Sequence, residues 1–377
     1  MNDLGIGLIG CGNISAAYLR LAPMFRGLRL VAVADISIEA AQARAAEFDV
    51  RADSVESLLA ADDIDLIVNL TIPDAHFDVS RKALEAGKHV YSEKPYVLSV
   101  DEADTLSELA VRNGLRIGSA PDTFLGGAHQ TARHLIDSDA VGSITGGTCH
   151  VMSFGMEHWH PNPDFFFRPG GGPILDLGPY YITNLVHLIG PVRTVTAMSG
   201  AASKTRTIAN GPRNGEQIPV LTPTTIHAVL EFASGALVTL GASWDVKAHR
   251  HREMELYGQN GSIYVPDPNF FGGEVVIARQ DGTEQAHSAD QHPFGSPNMK
   301  DGGGREQANY RCAGLSDMAV AIQENRQHRC NAEIARHAIE VMTGILAAGE
   351  TRSWIEMRTS CNRPAYLGAD EAATLLL

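Results

Sequence analysis

The chain has 377 residues, 44% hydrophobic and 20% charged, with a formal net charge of -14 at pH 7. That is the profile of a folded globular protein with room for two domains. No stripe of Lys and Arg relieves the acidic balance, so nucleic acid and anionic membrane surfaces are not expected partners, and a small molecule is. No run of about 18 apolar residues is present and no basic leader precedes the apolar stretch at Leu4, which predicts a cytoplasmic location.

In chain order, residues 5–9 read as a buried strand, Gly10-Cys11-Gly12-Asn13-Ile14-Ser15 as a turn, and residues 16–21 as the opening of a helix; a second apolar strand, 30–34, ends in Asp35. Strand, glycine turn, helix, strand, acid is the order of a nucleotide-binding βαβ unit. Gly10 makes the tight turn, Gly12 lets the backbone approach a pyrophosphate, and the helix start at Asn13 and Ile14 supplies unpaired N–H groups. Ser15 takes the third glycine's place and is still small. Asp35 would accept from the adenosine ribose hydroxyls and repel a 2′-phosphate by up to about 4 kcal/mol at about 4 Å in an effective dielectric near 20. The expected cofactor is therefore NAD rather than NADP; a plain turn or cap is the alternative for Asp35.

The alternation continues with helices at 40–48, 55–60, 77–86 and 101–113, the last two closed by Gly87 and Gly114, and strands at 65–70 and 89–91. This predicts an α/β fold with a doubly wound parallel sheet, whose ligands sit at the carboxyl ends of the strands. Glu93-Lys94-Pro95 follows such an end. Pro179 suits the first turn of a helix running to Ile189 and stopped by Gly190-Pro191. Residues 226–232 and 236–244 read as a hairpin around Gly235, with further strands at 253–257 and 262–265. Two polar stretches, 201–218 and 280–307, read as long loops. The five cysteines show neither zinc spacing nor a disulfide framework, so reduced thiols and no metal site are expected.

"GCGNIS", "LTIPDAH" with Thr71, Pro73 and His76, "ALEAGKHVYSEKP" with Glu93 and Lys94, and "GGGPILDLGPYY" at 170–181 resemble, in order, the landmarks of the glucose-fructose oxidoreductase, inositol dehydrogenase and MocA (Gfo/Idh/MocA) family. "EIARHAIEVMTGILAAGE" at 333–350 is similar to that family's last helix. The resemblance implies an NAD-binding Rossmann domain over 1–122. Over 123–377 it implies a substrate-binding and oligomerisation domain on an open, mainly antiparallel sheet, with the last helix (about 333–348) packing back toward the Rossmann domain. It places Thr71, Pro73, His76, Glu93 and Lys94 with Gly10, Gly12, Asn13, Ile14 and Asp35 around the cofactor. An open sheet face needs cover, in this family commonly another subunit's sheet, so a homodimer or homotetramer is expected.

In the family pattern Lys94 faces the nicotinamide and the substrate, where a partly desolvated ammonium can hydrogen-bond a hydroxyl and shift the pKa of a neighbouring acid or base. Pro95 removes a donor and restrains Lys94 toward an extended conformation. Asp176 falls at or just before the 179–189 helix, as a substrate contact, a helix cap, or both. The chain departs from the family's Asp-x-Gly-x-His, with Tyr180 where the acid/base histidine stands. A phenol with pKa about 10 is a poor base unless a cation stabilises its phenolate. Lys94 is the candidate cation, and a packed aromatic is the alternative. "MEHWHPNPDFFFRPGGG" offers His160 as another base and His158 and Arg168 as substrate-binding groups; on an extended segment the two histidines would point the same way. His249-Arg250-His251-Arg252 reads as a solvated strand end and His187 as core.

Three functions follow. The first is a dehydrogenase moving hydride from a sugar or polyol hydroxyl to NAD, and it is the leading expectation. The second is a glycosidase that keeps its NAD, cleaving by transient C3 oxidation, elimination and hydration, with Arg168 suited to an anionic sugar such as a sulfoquinovoside. The third is a nucleotide-binding regulator without turnover, which the presence of both Lys94 and Asp176 disfavours.

Overall fold

The structure is a computed structural model describing residues 3–300 and 302–377. Residues 1 and 2, at the head of the expected Rossmann stretch, and residue 301, inside the expected 280–307 loop, lie outside the described residues.

Six strands, β1 (Leu4–Ile9), β2 (Leu28–Ala34), β3 (Arg51–Asp53), β4 (Leu66–Asn69), β5 (His89–Ser92) and β6 (Ile117–Ser119), form a parallel sheet in the order β3-β2-β1-β4-β5-β6. The helices between them are α1 (Asn13–Leu21), α2 (Ile38–Phe48), α3 (Val55–Ala60), α4 (Pro73–Glu85) and α5 (Val100–Arg112). Strands buried on both faces read as unbroken apolar runs, as β1 and β4 do. Local signals start the helices: Ser37 and Ser54 cap α2 and α3, Pro73 opens α4, and Ser99 with Glu102 makes a reciprocal capping box on α5. The order reverses between β1 and β4, which puts the ligand crevice outside the carboxyl ends of β1, β4 and β5.

The chain then runs through α6 (Gly127–Asp137), β7 (Ile144–Met152), α7 (Gly172–Asp176), α8 (Gly178–Ile189), β8 (Val192–Gly200), β9 (Thr205–Thr207), β10 (Gln217–Pro219), β11 (Thr225–Phe232), β12 (Leu237–Ser243), β13 (Met254–Gly258), β14 (Gly261–Val265), β15 (Glu274–Ala278), β16 (Glu284–Ser288), β17 (Met299–Lys300), β18 (Glu306–Gln307), α9 (Ala313–Gln323), α10 (Ala332–Thr351), β19 (Trp354–Glu356) and α11 (Ala369–Thr374). A second sheet runs β16-β15-β14-β13-β7-β12-β11-β8-β19; β7 and β12 pair parallel and the other neighbours antiparallel.

One face of this sheet packs on α8 and α10, where Ile182, Leu185, Ile339, Met342 and Ile345 meet Val195, Ile226, Leu230, Val238 and Leu240. The opposite face exposes Met198, Leu237 and Trp354. Packing divides the chain less simply than a single cut. Helices α9 and α11 share a core with β1 and α1 through Cys312, Leu315, Met318 and Leu375 against Tyr18, Leu19 and Phe25. Helix α10 is anchored on α5 by an Arg336–Asp104 ion pair.

Two expected loops carry strands. Within 201–218, β9 and β10 pair as a ribbon, and within 280–307, β16 forms the edge of the large sheet. Both hide from hydrophobic alternation because they are mostly solvent-exposed: β16 has no buried residue at all. Among the described residues no helix is long and apolar enough to cross a membrane.

Candidate active site

The glycine turn divides its labour as the residue types dictate. Gly10 has φ 105°, and a Cβ there would lie 2.6 Å from the Leu70 carbonyl carbon at the end of β4, so only glycine fits. Gly12 has an ordinary φ of -71°. A Cβ on it would meet nothing within 4 Å, which leaves open space beside the start of α1. The Ser15 hydroxyl donates to the Gly12 carbonyl at 2.6 Å, so the small third residue stitches the turn rather than merely tolerating it.

Asp35 closes over the same turn: Oδ2 accepts from Cys11 N–H at 2.7 Å and Oδ1 from Ser37 N–H at 2.9 Å. A carboxylate oxygen can accept more than one bond, so each keeps capacity for a ribose hydroxyl. The Arg44 guanidinium donates to the Gly12 carbonyl at 3.2 Å and pairs with Glu47. Open space at Gly12, exposed Asn13, half-buried Ile14 and the fixed carboxylate of Asp35 together fit a dinucleotide, whose pyrophosphate would lie on the α1 N-terminus.

Beyond β4, Thr71 donates through its hydroxyl to Asn69 Oδ1 at 2.7 Å, and Pro73 starts α4. His76 corrects an expectation. It is fully buried, with Nδ1 2.7 Å from the Pro95 carbonyl and Nε2 3.1 Å from the Thr71 carbonyl; the neutral ring, favoured by burial, donates to only one of these carbonyls, and its buried side chain presents no surface to a nucleotide. Glu93 is likewise spent inside: Oε1 accepts from the Tyr18 hydroxyl at 3.0 Å and Oε2 from Lys94 N–H at 2.9 Å. Its role is to fix the β5 end.

Lys94 leaves that end toward the second domain. The Lys94–Pro95 peptide is cis. Lys94 Nζ donates to Asp176 Oδ1 at 2.8 Å and to the Asp176 carbonyl at 2.9 Å, and lies 5.5 Å from the Tyr180 ring centroid. Burial alone would lower the ammonium's pKa, but the Asp176 carboxylate, with Tyr180 and Glu93, outweighs it and holds the pKa above the usual lysine value. Asp176 ends the short α7, Leu177 precedes α8, and no side chain caps α8. The capping alternative for Asp176 thus falls away. Tyr180 is buried, and burial pushes its phenol up while Lys94 and Arg311 oppose that rise.

The loop residues are dispersed. Residues 156–160 form a turn, with Trp159 N–H and His160 N–H both bonded to the Met156 carbonyl, so His158 and His160 do not project together from an extended segment. His158 is exposed and packs on Phe154 at 4.5 Å; His160 packs edge-on to Phe165 and Phe166, its Nδ1 accepting from Asn162 N–H at 3.1 Å. Arg168 is exposed and acts on Asp164. Among the described residues, none of the three hydrogen-bonds or ion-pairs with Lys94, Asp176 or Tyr180. Among the described residues no three His, Cys, Asp or Glu side chains come together as a metal site.

Two charged groups near the crevice belong to no motif. Asp122 is buried, caps the N–H groups of Cys312 and Gly314 at 3.0 and 3.1 Å, and is pushed up to about 6 by burial. Arg311 precedes α9 in the same turn, acting on Tyr180, Glu93, Tyr18 and Asp122. The one cue in the sequence is a single arginine inside the otherwise uncharged run "YRCAGL".

Comparison with known proteins agrees with this fold. A model described as an oxidoreductase family NAD-binding Rossmann fold matches residues 4–120, and one described as the GFO/IDH/MocA C-terminal domain matches residues 129–264. An uncharacterized oxidoreductase of Schizosaccharomyces pombe is 29% identical over 180 residues, 44% of this chain and 48% of that protein, so the match spans about half of that relative's length. The dTDP-3,4-didehydro-2,6-dideoxy-alpha-D-glucose 3-reductase of Saccharopolyspora spinosa is 30% identical over 268 residues, covering 69% of this chain and 74% of the reductase. A solved levoglucosan dehydrogenase in complex with NADH and L-sorbose superposes with a TM-score of 0.80 at 20% identity, over 95% of this chain and 100% of that one, a likeness of fold. With a parallel sheet whose glycine turn and acid fit NAD, a mainly antiparallel second sheet, and both family models matched in order, the chain belongs to the Gfo/Idh/MocA family of oxidoreductases and opens with an NAD-binding Rossmann domain.

Proposed function

We propose that the protein interconverts a secondary hydroxyl and a ketone on a sugar or polyol, using NAD. The observation behind this reading is the Lys94–Asp176 contact beside Tyr180, at the carboxyl ends of the Rossmann strands. Relatives named for a keto-sugar reductase and a levoglucosan dehydrogenase support the substrate class.

Lys94 donates a hydrogen bond to the reacting oxygen and offsets the negative charge it gains, while Asp176 holds the ammonium in place. Tyr180 exchanges the proton: its phenolate accepts the hydroxyl proton as the C–H bond breaks and the C=O bond forms, and in reverse its phenol protonates the carbonyl oxygen. When bound, NAD takes or returns the hydride. A buried phenol with a raised pKa holds its proton near neutrality, so the site as built is readier to reduce a ketone than to oxidise an alcohol.

The test is incubation with NAD and a panel of sugars and polyols, and with NADH and the matching keto-sugars, following NADH absorbance. Turnover with one pair, lost in Lys94→Ala, supports the reading. Release of an aglycone with deuterium uptake beside the oxidised carbon and no accumulating NADH would replace it with redox-neutral glycoside cleavage. Binding of NAD without any turnover would leave a regulator.

We also propose that a second copy of the chain covers the open face of the large sheet. Met198, Leu237 and Trp354 are 65%, 54% and 69% exposed there, and Met198 and Trp354 lie on adjoining strands of that face, where exposed apolar side chains mark contact surfaces. Sedimentation should show a dimer or tetramer that Met198→Asp dissociates; a monomeric wild type would refute this.

A further inference from the structure

Histidines gather at the middle of the large sheet's open face. The central strand, β7, carries His150, and the register runs across the face from His150 to Gly241 on β12, His227 on β11 and Met198 on β8. A Cβ on Gly241 would lie 3.1 Å from His150 Cδ2 and 3.4 Å from His227 Cε1, so the two rings flank the bare glycine. The missing side chain leaves a depression of about 350 Å³ lined by His150, Met198, His227, Thr239 and Gly241. His150 also stacks on His251, with ring centroids 4.0 Å apart and planes 14° from parallel, and His249 lies 6.2 Å from His251.

We propose that His150, His227 and His251 make this face a proton-sensitive seat for a second copy of the chain, closed while the rings are neutral and opened as they gain protons. The inference rests on the reading that a second copy covers this face. Nine strands, most of them at least five residues long, give roughly 700 Å² before side chains roughen it, close to the ~800 Å² that each partner of a stable pair buries. A two-fold cover of the whole face brings the central strands of both copies against each other, so each charge gained there meets its own duplicate. Sealing the rings from water also disfavours their charged form. Burial first, then the neighbouring His251 and His227, already hold the His150 pKa below the usual histidine value, while Glu255 on β13 pulls the other way. Glu255 is shared with Arg252 at 3.9 Å, and that guanidinium lies over the Tyr264 ring at 4.1 Å. His249 and Arg250 are exposed on the same 249–252 segment, and β12 and β8 bring only Gly241 and Met198 to the histidine row. Acid therefore adds positive charge to the seat. The paired protein binds fewer protons than the separated copies, so association weakens as pH falls through the histidine range, near about 6.5.

Sedimentation at fixed ionic strength from pH 8 to pH 5.5, with circular dichroism to keep dissociation apart from unfolding, reads this linkage. The dissociation constant is expected to rise about tenfold or more between pH 7.5 and pH 5.5, the effect of one proton taken up per pair over about one pH unit. A double variant, His150→Gln with His251→Gln, should pair at pH 8 and lose most of that rise. Pairing that is unchanged or stronger in acid overturns the inference and leaves the second copy standing, whereas a chain that is monomeric at every pH refutes both. A double variant that keeps the full rise also overturns it. If that variant does not fold, calorimetric dilution of the wild type at pH 6.5, in two buffers of different ionisation enthalpy, counts the protons taken up on dissociation. About one or more per pair supports the seat, and none refutes it.

Discussion

Lys94 and Asp176 meet across 82 positions of sequence, with Nζ 2.8 Å from Oδ1, and both side chains are largely shielded, at 19% and 18% exposure. The contact joins the end of β5 to the end of α7, so it fixes the geometry between the Rossmann sheet and the head of α8 as well as the ammonium itself. Lys94→Ala is expected to lower kcat/KM by about 10²–10⁴, the usual worth of a positioned proton-handling group. NAD affinity, read by fluorescence titration, should fall far less. A variant that keeps its rate would remove Lys94 from the chemistry.

On the proposed acid/base role, Tyr180 should make the direction of catalysis depend on pH. Burial raises its pKa, so the phenol persists above neutrality and the phenolate forms only in alkali. Oxidation, which needs the phenolate, should speed up as pH rises from 7. Reduction, which needs the phenol, should stay flat and then decline. Tyr180→Phe should flatten both profiles and cost about 10²–10⁴ in rate. Initial rates in both directions across pH measure this, and matching slopes for oxidation and reduction would contradict it.

Gly10 and Gly12 should fail in opposite ways. At Gly10, φ 105° and the 2.6 Å approach to Leu70 make Gly10→Ala a folding defect, costing roughly 1–3 kcal/mol for the backbone before the overlap is counted. At Gly12, whose backbone is ordinary and whose Cβ would face open space, Gly12→Ala should leave stability within about 0.5 kcal/mol and weaken NAD. Urea unfolding and cofactor titration of the two variants separate the effects. Equal loss of stability would show that Gly12 is structural.

Much of this was legible from residue order. The Rossmann half follows from buried apolar runs broken by Gly10-Cys11-Gly12, Gly87 and Gly114, because punctuation and periodicity are local. That Lys94 and Asp176 both belong to the site is what the family resemblance implies, but their direct pairing is a finding of the structure, since no local rule links positions in different domains. What stays hidden is non-local or polar: edge strand β16 has no apolar face, and His76 looks like a ligand until both its nitrogens are seen facing carbonyls. The expectation that His158 and His160 project together fails because the Pro- and aromatic-rich segment is not extended: residues 156–160 coil into a turn.

His337 should make the fold acid-sensitive. Nε2 accepts from Val192 N–H at 2.9 Å, and Nδ1 lies 2.8 Å from the Thr359 hydroxyl, so the neutral ring carries its proton on Nδ1 and ties α10 to the start of β8. Protonating Nε2 would set N–H against N–H, and burial pushes the pKa down to about 4. The unfolded chain, with histidine near 6.5, then binds more protons than the folded one between pH 6.5 and 4. Stability is lost as pH falls through that window. From pH 7 to pH 5 the loss from His337 is about 2 kcal/mol. Asp122, raised to about 6, works the other way, with the folded state binding the extra proton, and offsets about 1 kcal/mol over the same interval. That offset is common to wild type and variant, so their difference isolates the histidine. His337→Gln, whose amide oxygen can still accept from Val192, should cost about 1 kcal/mol at pH 7 yet lose about 2 kcal/mol less than wild type on going to pH 5. Urea unfolding at the two pH values measures both numbers, and an equal acid loss in the variant would show that His337 does not titrate on unfolding.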